Sequence, residues 1–222
     1  MSAPRALDRS EVSWRSLVAL RRSGSCRLLA PVLFGVLLAG AWGCANPVID
    51  DKIEALGDEP LPDLEDFQFH RAGQPCVLCH GEYESEGPLM SVAGTLYQSR
   101  ASKVPVENAT VRIWDSFGAT WETTTNCVGN FWVEKEDFDP AFPLHVEVVY
   151  QLAGAGPPKA QPMATRISRD GSCAGCHQDI ASPTQFSPGR VYASPNPADA
   201  FPPISSTCPV IPPQDPPPGG TP

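Results

Sequence analysis

Two short segments of this chain place a pair of thiols beside an imidazole. Each has the pattern Cys-x-x-Cys-His, once at residues 76–80 and once at residues 173–177. In a helical turn, the two thiols reach the two vinyl groups of one porphyrin while the imidazole approaches the iron from the same side, as in c-type haem attachment. We therefore predict two covalent c-type haems. The predicted thioether residues are Cys76, Cys79, Cys173 and Cys176, and the predicted proximal iron ligands are His80 and His177.

Paired cysteines also serve two other chemistries. The pairs begin 97 residues apart, whereas the pairs of a zinc ribbon are separated by about 15–20 residues. A redox-active dithiol normally accompanies a thioredoxin-like βαβ pattern, which this sequence does not show. Zinc and disulfide chemistry remain as alternatives to haem. Through its two five-residue motifs alone, the chain resembles the multihaem c-type cytochromes, and this resemblance implies electron transfer.

The sequence indicates the distal ligand of each iron, opposite the proximal histidine, less clearly than the proximal one. The chain has four histidines, and two of them are the predicted proximal ligands. His70 lies six residues before Cys76 in a stretch with no predicted helix or strand, where a core role is not expected. The candidate distal ligands are His70, His145 and Met163, with Met90 a weaker candidate.

The N-terminal region has the features of an export signal. Residues 1–27 carry six arginines against two acidic residues, and an apolar run of 15 residues follows at 28–42. A membrane-spanning helix needs about 20 such residues, so a cleaved secretory signal is favoured over a retained anchor. The Gly43-Cys44 junction resembles a bacterial lipoprotein signal, which implies acylation of Cys44 and membrane tethering. Ordinary secretion with an unmodified cysteine is the alternative.

Removal of the signal leaves an acidic protein. Residues 1–43 carry a net charge of +4, so the formal net charge of the rest is −13 rather than −9. A negative surface argues against binding to nucleic acid or to anionic membrane surfaces, and it favours basic redox partner proteins. The predicted location is that of an exported bacterial lipoprotein, either periplasmic, attached to the outer membrane or at the cell surface.

Two further cysteines have no role in either motif. With Cys44 acylated, Cys127 and Cys208 remain as a pair in an oxidising compartment, where disulfides persist. We predict a disulfide between them, and two unrelated thiols are the alternative.

Composition divides the chain into six segments. The last of them holds 11 of the 26 prolines, so it is expected to be extended or disordered. The predicted segments are a signal peptide at 1–43, an acidic tether at 44–68, a first haem segment at 69–90, a β-sandwich at 91–168, a second haem segment at 169–193 and a proline-rich tail at 194–222.

The central segment carries strand signals. Runs rich in Val, Ile, Thr and aromatic residues alternate with Gly, Pro and Asn. Alternation places Leu144, Val146 and Val148 on one face of a strand and His145 on the other. The predicted fold is mainly β, an antiparallel sandwich flanked by two short haem segments. Its strands are predicted at 92–97, 110–115, 119–125, 130–135, 144–152 and 163–168.

Part of this segment resembles a known domain. The stretches 92–96 (VAGTL), 105–115 (PVENATVRIWD) and 123–131 (TTTNCVGNF) are similar to the carboxypeptidase regulatory-like, or transthyretin-like, domain. The resemblance implies a prealbumin-like sandwich. It implies no peptidase activity, because a fold does not by itself carry a function.

The leading functional hypothesis is a membrane-tethered dihaem electron carrier rather than an enzyme. The same strand alternation points Trp114 and Trp132 outward, and exposed apolar side chains often mark a bound group. A porphyrin packed on one of them, with His145 at its iron, is the corresponding placement hypothesis. The alternatives are a structural or adhesive sandwich subunit of a larger redox complex and a haem peroxidase.

Overall fold

A computed structural model describes residues 46–58, 67–83, 87–178 and 187–209. The predicted signal peptide, Cys44 and residues 210–222 lie outside this range. Within the described residues, no helix is both long enough and apolar enough to cross a membrane.

Seven strands and three short helices make up the described structure. The helices are α1 (Pro47–Glu54), α2 (Cys76–Cys79) and α3 (Cys173–Cys176), and a 3-10 turn covers Phe67–Phe69. The strands are β1 (Met90–Thr95), β2 (Thr110–Trp114), β3 (Thr120–Thr124), β4 (Asn130–Glu134), β5 (His145–Tyr150), β6 (Lys159–Pro162) and β7 (Gly171–Ser172).

The strands form two sheets, so the predicted mainly β class is confirmed. One sheet has the order β4-β1-β7 and the other the order β3-β2-β5-β6. All pairings are antiparallel except that of β1 with β7, which is parallel. Because of this parallel pairing, the second Cys-x-x-Cys-His motif lies against β1, as the first motif does.

Five of the six predicted strands match β1 to β5, and the sixth was wrong. Residues 163–168 contribute only a bridge between Leu144 and Ile167, whereas Lys159–Pro162 pairs with β5. β6 is an edge strand with mostly exposed side chains. Backbone pairing with β5 therefore determines its position, and its polar residues give no strand signal.

The core lies between the two sheets. Strand alternation predicted the inward residues correctly, and Trp114, Trp132 and His145 lie on the outward sides of their strands. The main buried cluster consists of Val92, Val111, Ile113, Phe131, Val133, Leu144 and Val146.

Both regions that flank the sandwich are more structured than their composition predicts. The predicted tether begins with α1, whose first residue is Pro47 and whose first turn contains Asp50. Proline at the first helical position and an acidic residue in the first turn both favour a helix start. Residues 194–209 form no helix or strand, yet Phe201 stacks on Tyr150 with ring centroids 5.6 Å apart.

The predicted disulfide between Cys127 and Cys208 is present. The two Cα atoms are 5.8 Å apart, and the bond links residues separated by 81 positions. It fastens the proline-rich segment to the turn before β4.

Candidate haem-binding site

Each Cys-x-x-Cys-His motif forms a single helical turn. The backbone N–H of His80 donates to the carbonyl of Cys76 at 2.9 Å, and that of His177 donates to Cys173 at 2.8 Å. These bonds place the two thiols of each motif one turn apart and the histidine at the end of that turn. None of the four motif cysteines is in a disulfide. This is the local conformation on which thioether attachment to one porphyrin depends.

The fold brings the two motifs to the same strand. α2 contacts β1 and β7, and α3 contacts β1. α3 follows directly from β7, whose Gly171 and Ser172 pair with Val92 and Ala93 of β1. Motifs that are 97 residues apart in sequence therefore both lie against β1, the central strand of the three-stranded sheet.

Gly94 in β1 permits the close approach of the second motif. A Cβ atom at this position would lie 2.7 Å from Cys173 Cβ and 3.0 Å from Cys173 Sγ. No larger residue fits without displacing the thiol, so glycine is required here by packing.

The first thiol of each motif is held in its neutral form. Burial is the main cause that raises the pKa of Cys76 to about 11 and that of Cys173 to about 12. Both side chains retain some exposed surface, but the protein around them still disfavours the charged thiolate. For Cys173, the second cause is the neighbouring Cys76. This agrees with the contact of α2 with β7, the strand that leads into α3.

The imidazole of His177 is oriented by the backbone. Its Nδ1 lies 2.8 Å from the carbonyl oxygen of Gly189. A carbonyl can only accept, so Nδ1 carries the proton and Nε2 is the nitrogen with a lone pair for a metal. Burial lowers the pKa of His177, which favours the neutral ring that iron requires.

His70 lies beside His80. Their ring centroids are 5.9 Å apart and their planes are inclined by 52°. Two imidazoles that share one metal at nitrogen–metal distances of about 2.0 Å have centroids about 6 Å apart. The rings can rotate about the shared axis, so an inclination of this size is compatible with that arrangement.

Two buried polar residues hold the turn that carries His70. Thr95 in β1 and Asn130 in β4 are 4% and 6% exposed. The Gly73 N–H donates to Thr95 Oγ1 at 2.7 Å, Thr95 Oγ1 donates to Asn130 Oδ1 at 2.7 Å, and Asn130 Nδ2 donates to the His70 carbonyl at 3.0 Å. Sequence reasoning missed this pair. Alternation places both residues on the outward side of their strands, together with Trp132, where polar side chains are expected, so no local pattern marks them as buried.

Two other candidate distal ligands, His145 and Met163, lie at the second sheet. His145 is on the outward side of β5, with its ring centroid 5.4 Å from that of Trp114. The Met163 N–H donates to the carbonyl of Val146 in the same strand at 2.9 Å. The structure thus brings His70, but neither His145 nor Met163, to the sheet that both motifs contact. The weaker candidate, Met90, is the first residue of β1, and its N–H donates to the carbonyl of His80 at 2.9 Å.

Within the described residues, no group of three or more His, Cys, Asp or Glu side chains is arranged to hold a metal ion. A haem does not need such a group, because the porphyrin supplies four ligands and the protein supplies the axial ones.

Comparisons with protein-family models, curated proteins and solved structures find no match. Function must therefore be argued from the site residues themselves.

Proposed function

We propose that this protein is a membrane-tethered dihaem c-type cytochrome that carries electrons in the periplasm or at the cell surface. The observation that supports this most strongly is the pair of Cys-x-x-Cys-His turns against one strand, each with two thiols one turn apart and outside any disulfide. A haem bound there supplies one-electron redox chemistry, and the protein supplies attachment, orientation and shielding from water.

The first haem is held by Cys76 and Cys79, with His80 as its proximal ligand. We assign His70 as the distal ligand because its ring lies 5.9 Å from that of His80. His145 was an alternative on sequence grounds, but its position on the other sheet supports a surface role in contact with Trp114.

The second haem is held by Cys173 and Cys176, with His177 as its proximal ligand. The Gly189 carbonyl fixes the orientation of the imidazole. Such hydrogen bonds to a ligating histidine fix its tautomer and increase its basicity, and they are one means of tuning a reduction potential.

Closeness of the two sites supports electron carriage. Because α2 contacts β7, from which α3 follows directly, the two haems would be attached close to each other. An electron that enters at one haem would then have a short path to the other.

A redox titration of the purified protein tests this proposal. We expect two one-electron steps, with Cys76→Ala and Cys173→Ala each removing one step and largely sparing the other. A protein with no reversible step at either site would contradict the proposal. Rapid turnover of hydrogen peroxide would favour a peroxidase instead.

Membrane tethering is proposed separately, on the Gly43-Cys44 junction. Cys44→Ala is expected to move the mature protein from the membrane fraction to the soluble fraction. If the unmodified chain is already soluble and mass spectrometry finds Cys44 without acyl groups, tethering is wrong while the haem assignment stands.

A further inference from the structure

The turn that carries His70 is fastened to the sandwich on both sides of the histidine. The His70 carbonyl accepts from Asn130 Nδ2 at 3.0 Å, and the Gly73 N–H donates to Thr95 Oγ1 at 2.7 Å. Upstream, Asn126 Nδ2 donates to the carbonyl of Gln68 at 2.7 Å. The backbone around His70 is therefore fastened by side chains of β1, of β4 and of the turn before β4.

Thr95 and Asn130 act as one unit. The Thr95 hydroxyl accepts from Gly73 and donates to Asn130 Oδ1 at 2.7 Å, which leaves the Asn130 amide group to donate to His70. Both residues are almost fully buried, so water cannot readily replace a lost bond. Loss of one partner would leave the other group buried without its hydrogen bond, which is costly.

We infer that the buried Thr95–Asn130 pair positions His70 for axial ligation of the haem attached at Cys76 and Cys79. This inference rests on the proposed function, since it assigns a role toward that haem. Neither residue contacts the iron, so both are positioning residues that act through His70. Outer-shell partners of this kind orient a ligand, and their loss typically lowers metal affinity by about 10–100-fold.

Two substitutions at Thr95 form a matched test. Thr95→Val keeps the shape of the side chain but removes the hydroxyl, whereas Thr95→Ser keeps the hydroxyl. Asn130→Asp is a second, isosteric variant that keeps the acceptor for Thr95 and removes the donor to His70. Thr123→Val is the control, because it removes a strand hydroxyl that donates to the carbonyl of Trp132 at 2.9 Å and not to the turn that carries His70.

Cyanide binding to the ferric holoprotein measures how firmly His70 is held. An external ligand must displace His70, so weaker positioning raises the apparent cyanide affinity by the same factor. We expect an increase of about 10-fold or more at one haem in Thr95→Val and Asn130→Asp. Thr95→Ser and Thr123→Val should resemble the wild type, and His70→Ala should show the largest increase.

Amide hydrogen exchange gives a readout that does not depend on the iron. The Gly73 amide should exchange faster in Thr95→Val than in wild type or Thr95→Ser, because its acceptor is gone. If Thr95→Val does not fold, Asn130→Asp provides the same cyanide comparison.

The outcomes separate this inference from the proposed function. Wild-type cyanide affinity in both Thr95→Val and Asn130→Asp, with a clear change in His70→Ala, would overturn the positioning role and leave the haem assignment intact. No change in His70→Ala would overturn the inference as well, because His70 would then not be a ligand. A wild-type protein without covalent haem would instead refute the proposed function.

Discussion

Replacement of Gly94 by alanine tests the link between the fold and the second haem site. The added Cβ would lie 2.7 Å from Cys173 Cβ, 3.0 Å from Cys173 Sγ and 3.0 Å from Phe131 Cζ. Carbon atoms in contact prefer separations of about 3.5–4.0 Å, so Cys173 must move by about 1 Å. Phe131 belongs to the buried core and leaves little room for relaxation.

The overlap should lower the free energy of unfolding. Overpacking of a filled core typically costs about 1–3 kcal/mol, and alanine recovers about 0.5–1 kcal/mol because glycine weakens a strand. The free energy of unfolding should therefore fall by about 1 kcal/mol. The larger effect should be local, since the displaced thiol no longer matches the spacing set by Cys176.

Intact mass after denaturation and thermal unfolding are the two measurements. We expect Gly94→Ala to accumulate a form with one haem, attached at Cys76 and Cys79. Gly156→Ala is the control, because a Cβ there meets nothing within 4 Å. If Gly94→Ala carries two haems in full yield and unfolds at the wild-type temperature, the close approach of Cys173 to β1 is refuted.

Four further predictions each depend on a single feature of the structure. Cys208→Ser opens a disulfide that spans 81 residues and should lower the free energy of unfolding by up to about 4.5 kcal/mol in the chain-entropy model, so equal denaturation midpoints in urea would contradict it. In the haem-free chain, Cys173, whose pKa is raised to about 12 by burial, should be alkylated at pH 8 much more slowly than the exposed Cys176. Folding disfavours the charged form of Cys173. The contribution of this thiol to the free energy of unfolding should therefore be complete below about pH 9 and be lost as the pH rises toward about 12. A melting temperature of the haem-free chain that does not change over that range would be inconsistent with this. His70→Ala should convert one haem to high spin in the visible spectrum while His145→Ala leaves both unchanged, and the opposite result would exchange their roles.

The sandwich was predictable because side-chain alternation is a direct consequence of strand geometry. In β5, residues such as Val146 and Val148 alternate with half-buried neighbours, and the burial pattern follows that alternation. β6 was not predictable, because an edge strand pairs through its backbone and its side chains are exposed. The parallel pairing of β7 with β1 was also missed, since a strand of two residues has no periodicity.

The candidate site was likewise predictable only in part. The motif cysteines and histidines are adjacent in sequence, so their local arrangement follows from one helical turn. The proximity of His70 to His80 depends on how residues 67–73 fold against the sheet, and that depends on hydrogen bonds from Thr95 and Asn130. These contacts join residues at least 22 positions apart, which no local pattern encodes.

The central claim is covalent attachment of two haems to one exported chain. The most direct test is the intact mass of the mature protein after denaturation, following expression with c-type haem maturation. We expect a mass that exceeds the mature polypeptide, with any acyl groups on Cys44, by two haems. A mass equal to the polypeptide alone, or stoichiometric zinc in place of haem, would contradict the account.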